Sequence, residues 1–304
     1  MCYSFAGHRT RETSVSTFTV IVNKNSGSAE GRGDAVAEAF ARLNLDAEIV
    51  VVDGADIRKT AERAAAAGHS LIAGGGDGTV GTVASVAVKS GSSFGVVPLG
   101  TLNHFAKDAG IPLEIDAAVA VIAAGHVAAL DTGELNGRTF VNNASLGFYA
   151  RIVRERQIEQ RKGRTKWIAF AIGLYRAWLQ HRQIHVRMTV DGVPVDRRTP
   201  FLFIGNGEYK DEGLEIGRRV SIATGRLWIY LAPECGRVEM MVLLLRALAG
   251  RLAPDVKLEE FVATEVTIRT ESRDIAVAAD GELISASPPI RCVSNPGTLR
   301  TLVP

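Results

Sequence analysis

The chain has 304 residues, 46% of them hydrophobic and 22% charged, with a formal net charge of only +2. That length suits two domains better than one, the composition is that of a globular protein with a real core, and bulk charge points to no particular partner. Cys2, Cys235 and Cys292 lie far apart with no Cys-x-x-Cys, a pattern that suggests neither a disulfide framework nor a zinc site and fits a reducing cytoplasm.

In chain order, residues 1–17 are polar, carry His8, Arg9 and Arg11, and lack the apolar run of a signal peptide, so a flexible extension is expected there. Residues 18–22 read as a β-branched strand opening into the loop Asn23-Lys24-Asn25-Ser26-Gly27. A helix over 35–43 follows, with Val36, Ala39, Phe40 and Leu43 on one face. A strand at 48–52, a helix over 57–67 ended by Gly68, a strand at 70–73, a helix over 80–89 and a strand at 94–97 complete the pattern. Strands alternating with helices predict βαβ units, hence a Rossmann-like α/β domain with a parallel sheet over 18–126.

Beyond about Ala128 the segments 139–142, 184–190, 201–204, 227–231, 265–269 and 275–278 are short, β-rich and bounded by turns such as Asp191-Gly192. They predict an antiparallel β-sandwich domain over 127–291, with helical insertions at 151–181 and 236–250. A last strand at 298–303 leaves open a return of 292–304 to the first domain. The apolar run 240–249 contains Arg246 and is too short to cross a bilayer.

Residues 74–79, Gly-Gly-Gly-Asp-Gly-Thr, stand between a predicted strand and helix. Free N–H groups and the positive helix end offer an anion site there, and glycine lets the backbone approach a phosphate closely. A turn that merely needs glycine is the bland account, which three consecutive glycines followed by Asp-Gly-Thr exceed. No G-x-x-x-x-G-K-[ST] occurs, which excludes a P-loop. Gly76-x-Gly78-x-x-Gly81 has the dinucleotide spacing, but it falls on the third strand and lacks the acidic partner about 20 positions on. A dehydrogenase is therefore set aside.

Four motifs, in order over almost the whole chain, resemble the diacylglycerol kinase catalytic domain family, which bacterial lipid kinases share with ceramide and sphingosine kinases. They are Asn23 to Gly27, Gly75-Gly76-Asp77-Gly78-Thr79, the stretch Pro98 to Ala106 with Gly110-Ile111-Pro112 behind it, and Asp280-Gly281-Glu282. The resemblance implies a NAD-kinase-like α/β domain and a β-sandwich sharing one active site. It implies ATP with Mg²⁺ and transfer of the γ-phosphoryl group to a hydroxyl of diacylglycerol or a similar lipid. Carried over by position, it implies nucleotide contacts from Asn23, Ser26, Gly27, Gly75, Gly76, Asp77, Gly78, Thr79, Thr101 and Asn103. It further implies that Glu282 acts as general base and that Asp77 orients the nucleotide's metal or a water. Against these stand plainer roles: Thr79 and Thr101 as helix caps, Asn103 as a loop brace, Glu282 as a solvated turn charge.

The sequence departs from the family at Lys24, which replaces a proline, at Gly81-Thr82 after the glycine loop, and at His104. Ala223 and Thr224 stand where the family commonly carries acidic residues associated with a metal, so the metal ligands stay unassigned. A binding protein of the same fold without catalysis, and a NAD kinase, are the alternatives. The latter is disfavoured because Asn142-Asn143-Ala144 lacks the glutamate of its Asn-Glu motif.

Residues 151–182 hold nine basic and two acidic residues interleaved with Trp167, Phe170, Tyr175 and Trp178. This suits peripheral contact with the anionic inner face of a membrane, or a solvated basic helix with its aromatics in the core. No nucleic-acid motif accompanies it. A homodimer is compatible with the sequence and leaves no mark in it.

Overall fold

The computed structural model describes residues 17–24, 31–209, 219, 221–248, 258–271, 275–284 and 286–304, apart from the side chains of Lys166 and of 243–248. The expected extension, but for Thr17, and the candidate residues Ser26 and Gly27 lie outside this description. The chain divides into two units, Met1–Thr132 with Pro296–Pro304, and Gly133–Asn295.

The first unit runs β1 (Phe18–Asn23), α1 (Arg32–Arg42), β2 (Ala47–Val52), α2 (Ile57–Ala66), β3 (Ser70–Gly75), α3 (Asp77–Ser90), β4 (Phe94–Pro98), α4 (His104–Asp108) and α5 (Ile115–Ala124). Strand β5 (Val127–Leu135) then leads into the second unit. There follow β6 (Arg138–Phe140), β7 (Asn143–Gly147), α6 (Phe148–Arg161), α7 (Lys166–Leu179), β8 (Ile184–Val190), β9 (Val193–Thr199), β10 (Phe201–Asn206) and β11 (Leu227–Leu231). The chain closes with α8 (Arg237–Leu248), β12 (Glu259–Ala263), β13 (Glu265–Thr270), β14 (Val277–Ala279), β15 (Glu282–Ile284) and β16 (Ile290–Leu302), whose end returns to the first unit.

In the first unit β2, β1, β3 and β4 lie parallel in that order, and Thr301 of β16 pairs with Phe94 beside β4. The central strands are apolar and buried throughout, as both faces are covered, whereas edge strand β2 is half-exposed. Helix α1 buries Val36, Ala39 and Phe40, spaced three and one apart, against Val20, Val22 and Ile72 of the sheet and Val119 and Ile122 of α5. Each such large side chain contributes about 1.5–3 kcal/mol by leaving water. Register decides where the loops emerge. Val22 pairs with Gly74, and Gly74 with Val97, so β1, β3 and β4 end level with one another. Helix α3 begins at Asp77, three residues before the sequence expectation, so Asp77, Gly78 and Thr79 form its first turn. It ends at Gly91 in the left-handed conformation that closes helices. The sequence reading did not assign α4 or α5.

The second unit has two antiparallel sheets. One is β12-β11-β10-β7-β14-β15, and the other contains β13, β8 and β9, with the first half of β16 against β13. Leu146, Leu202 and Ile229 from the first sheet share a core with Val186, Met188 and Ile268 from the second, which makes the unit a β-sandwich. Helices α6 and α7 form a hairpin inserted between β7 and β8, where the sequence predicts one helical insertion. No helix among the described residues is long and apolar enough to cross a membrane.

Candidate active site

The first-turn N–H groups of α3 have no intrahelical acceptors, and with the helix dipole they form a positive end directly after β3. The packing around that end depends on absent side chains. A Cβ on Gly75 would lie 2.5 Å from Thr79 Oγ1, and one on Gly76 would lie 3.2 Å from Gly100 Cα. A Cβ on Gly100 would overlap Gly76 Cα and come within 2.7 Å of Asn103 Oδ1. The loops after β3 and β4 therefore touch backbone to backbone, and only glycine permits it. Gly100→Ala is expected to push the two loops apart, to destabilise the unit by about 1–3 kcal/mol, and to weaken nucleotide binding at least about tenfold. Titration with a fluorescent ATP analogue, alongside a urea melt, checks both effects.

Side chains hold this cradle in place. Thr79 is buried, and its Oγ1 accepts the Asn23 Nδ2 hydrogen at 3.1 Å, which ties the end of β1 to the first turn of α3. Asp77 Oδ1 accepts the Phe105 N–H at 3.2 Å and so caps α4. Asn103 takes a left-handed φ of 51° and closes its own turn, accepting from Gly100 N and donating to Gly100 O at 3.0 Å each. Of the two roles open for Asn103 in the sequence, the geometry gives the brace. Thr101 is exposed beside it.

Two cations bear on the same region. Arg32, not singled out from the sequence, donates from Nη1 to Leu99 O at 2.6 Å. Lys24 is engaged with Asp53 at 2.7 Å. The departures Gly81 and Thr82 sit in the body of α3, Gly81 buried and Thr82 bonded back to Gly78 O, so they leave the cradle itself unaltered. His104 is the first residue of α4.

In the second unit Ala279 pairs with Glu282, and the turn between them is Asp280-Gly281 with φ of 47° and 77°. Positive φ at both positions is the two-residue hairpin turn that Asp-Gly favours. The Asp280 carboxylate then accepts the N–H groups of Val141 (2.9 Å), Asn142 (2.8 Å) and Asn143 (3.2 Å). That backbone is also held from its carbonyl side. Arg219 donates to Val141 O at 2.6 Å, Asn206 Nδ2 to Val141 O at 3.1 Å, and Tyr209 OH to Asn142 O at 3.0 Å. Burial pushes the Asp280 carboxyl up to about 6, against the three N–H donors and Arg219, which pull it down.

Glu282, at the start of β15, is half-exposed and pairs with Arg138 Nη2 at 3.2 Å. Gly281 O accepts a hydrogen bond from Arg156 of α6 at 2.9 Å. Arg138 and Arg219 were not singled out from the sequence, and Arg156 only as one of the basic residues of 151–182. The segment around Ala223 and Thr224 forms a small exposed turn, with Ala223 N bonded to Ser221 Oγ at 3.3 Å and Arg226 N to Thr224 Oγ1 at 3.4 Å. Among the described residues no group of three His, Cys, Asp or Glu is placed to hold a metal ion.

Two family profiles match this chain: a diacylglycerol kinase catalytic domain over residues 17–135, and a YegS C-terminal NAD kinase beta sandwich-like domain over residues 142–303. A probable lipid kinase YegS-like protein of Pseudomonas savastanoi pv. phaseolicola is 30% identical over 277 residues, covering 89% of this chain and 88% of its own. A protein of the same name from Pseudomonas aeruginosa PAO1 is 40% identical over 136 residues, covering 44% of each chain. Among solved structures, a diacylglycerol kinase from Bacillus anthracis str. Sterne superposes with a TM-score of 0.67 at 19% identity, covering 95% of this chain and 97% of its own. Yeast NADH kinase in complex with NADH superposes with a TM-score of 0.51 at 11% identity, covering 95% and 83%. These two likenesses bear on the fold alone, an α/β domain followed by an antiparallel β-domain.

Proposed function

Because this chain belongs to the YegS-like lipid kinases, with a diacylglycerol kinase catalytic domain and a YegS-type C-terminal domain, we propose that it transfers the γ-phosphoryl group of ATP to the hydroxyl of diacylglycerol or a related long-chain lipid alcohol. The observation that carries the nucleotide half of this reading is the backbone contact of Gly76 with Gly100 at the N-terminus of α3. It packs two glycine loops backbone to backbone beside a positive helix end, a setting that fits a polyphosphate. Asn23 and Thr79 fix the first turn of α3 from one side, and Asp77 fixes α4 from the other.

Phosphoryl transfer depends mainly on positioning and on neutralising charge, with a carboxylate to receive the hydroxyl proton. Glu282 is assigned that carboxylate role. Its oxygen takes the proton as the lipid O–H bond breaks, the lipid oxygen bonds to the γ-phosphorus, and the bond to the ADP oxygen breaks. Asp280 fixes the turn beside it.

Magnesium would enter as an ion carried on the nucleotide's phosphates. Asp77 is the residue that would face it, with one carboxylate oxygen already accepting from Phe105 N. When bound, such an ion supplies charge neutralisation on the phosphates. The proposed place of action is the inner face of the membrane, met from the cytoplasm.

Incubation with γ-labelled ATP and separate diacylglycerol, sphingosine, ceramide and NAD tests the reading. Label is expected in diacylglycerol or another of the lipids and not in NAD. ATP binding with no labelled lipid would instead favour a binding protein of the same fold.

A further inference from the structure

Helix α7 is apolar on two faces, and the fold covers one of them. On the covered face Phe170, Leu174 and Trp178 pack with Phe148, Ile152 and Met240. On the opposite face Ile168, Tyr175 and Leu179 are 51, 59 and 43% exposed. Their spacing of seven and four residues places them along one stripe, and Ala171, also exposed, fills the gap. Trp167 at the edge of the stripe is 77% exposed. Trp178 Nε1 donates to Arg237 O at 3.1 Å, tying α7 to α8, where Val238 is 76% exposed. A surface helix ordinarily sets polar residues opposite its core face. This one does not.

Positive charge brackets the stripe. At the α6–α7 turn the fully buried Glu159 gathers Lys162 (2.7 Å), Arg164 (2.8 Å) and Arg176 (2.8 Å), and Arg176 also meets Glu155 at 3.3 Å, so three cations share two carboxylates. At the other end Arg151 donates to Gln180 O at 2.8 Å. Burial, and repulsion from Arg182 and Arg154, lower the pKa of Arg151, which marks a second cluster of like charges.

We infer that the exposed face of α7 docks flat on an anionic lipid bilayer, its apolar stripe entering the acyl boundary and the basic clusters at its two ends meeting lipid phosphates. The inference rests on the lipid-kinase reading for the reason a bilayer is met at all. With 14 residues α7 is about 21 Å long, too short to cross a hydrocarbon layer of about 30 Å, and it is flanked by charge, as interfacial helices are. Trp167 and Tyr175 are the residue types that settle at headgroup depth. A second copy of the chain on the same stripe would bring cationic ends against cationic ends, whichever way the two helices ran.

The test is co-sedimentation of the full chain with vesicles of phosphatidylglycerol and phosphatidylcholine, against vesicles of phosphatidylcholine alone. Binding is expected to the anionic vesicles, weakened by salt, with a blue shift of Trp fluorescence that Trp167→Phe reduces. The double variant Ile168→Asp, Leu179→Asp is expected to lower the bound fraction at least tenfold at unchanged melting temperature. Trp167→Ser, at the most exposed position, is the second variant should the double one melt early. Phosphorylation of a short-chain, water-soluble diacylglycerol is expected to be the same in all variants, whereas vesicle-borne diacylglycerol loses turnover in the double variant. Failure of the wild-type chain to sediment, or a dimer that the double variant dissociates without any vesicle binding, overturns the docking. Sedimentation with no acceptor phosphorylated in either form overturns the kinase reading and leaves the docking standing.

Discussion

Glu282→Gln is expected to lower phosphoryl transfer by about 10²–10⁴-fold with ATP affinity unchanged. The amide matches the carboxylate in shape, and Gln can still accept from Arg138, so the hairpin pairing Ala279↔Glu282 is kept. What is lost is the capacity to receive a proton. In the proposed reading nucleotide affinity belongs to residues that the substitution does not touch, namely the α3 terminus and the glycines at 75, 76 and 100 of the first unit. Steady-state kcat with saturating lipid, beside a direct ATP titration, separates the two quantities. A fall carried only by KM would mark Glu282 as a binding group, because an interaction equal in ground and transition state leaves kcat alone. Turnover equal to wild type would remove Glu282 as the base. The half-exposed position of Glu282 makes this a demanding test, since a solvated turn charge would give no effect at all.

The parts of this architecture written into the sequence are those set by neighbours along the chain. Strand alternation in 18–97 is legible because each buried β-branched run is short and each helix has its own apolar face. The cradle is legible because Gly75, Gly76 and Gly100 must lack side chains, and no other residue satisfies that need. Less legible is whatever depends on a partner far off in sequence. Arg138 meets Glu282 across 144 positions, and Arg32 reaches Leu99 across 67, and neither leaves a local mark.

The same cause explains the error at 139–142, read as one strand. The structure ends β6 at Phe140 and starts β7 at Asn143, because the N–H groups of Val141, Asn142 and Asn143 turn to Asp280 instead of a neighbouring strand. For Asn103 the brace was one of two readable roles, and what decides it is the bonding to its own loop backbone in a left-handed turn that only the structure displays. The helix α7 was legible as aromatic and basic, but which aromatics face the core depends on β10 and α8.

Asp280→Ala is expected to destabilise the second unit by about 3–5 kcal/mol, since three backbone N–H groups lose their acceptor and alanine adds the strain of a left-handed φ. Asp280→Asn isolates the carboxylate, because asparagine tolerates the turn. Its one carbonyl oxygen can serve Asn142 and Asn143 while its amide faces the Val141 N–H, a loss of about 1–2 kcal/mol. The pH dependence then reveals which force governs the site. Burial holds the folded carboxyl at about 6, above the ordinary 3.8, so the folded chain binds more protons between those values. The contribution of Asp280 to stability is therefore full below about pH 4 and is lost as pH rises through about 6. Asparagine does not titrate, so the deficit of Asp280→Asn relative to wild type is expected to be larger at about pH 4 than at about pH 7. Urea midpoints at the two values decide it. A deficit that grows toward neutral pH would mean that the three N–H donors outweigh burial, and that Asp280 anchors the 141–143 backbone as a carboxylate rather than as an acid. In either case both variants displace the turn that presents Glu282, so transfer should fall with them while ATP binding in the first unit persists.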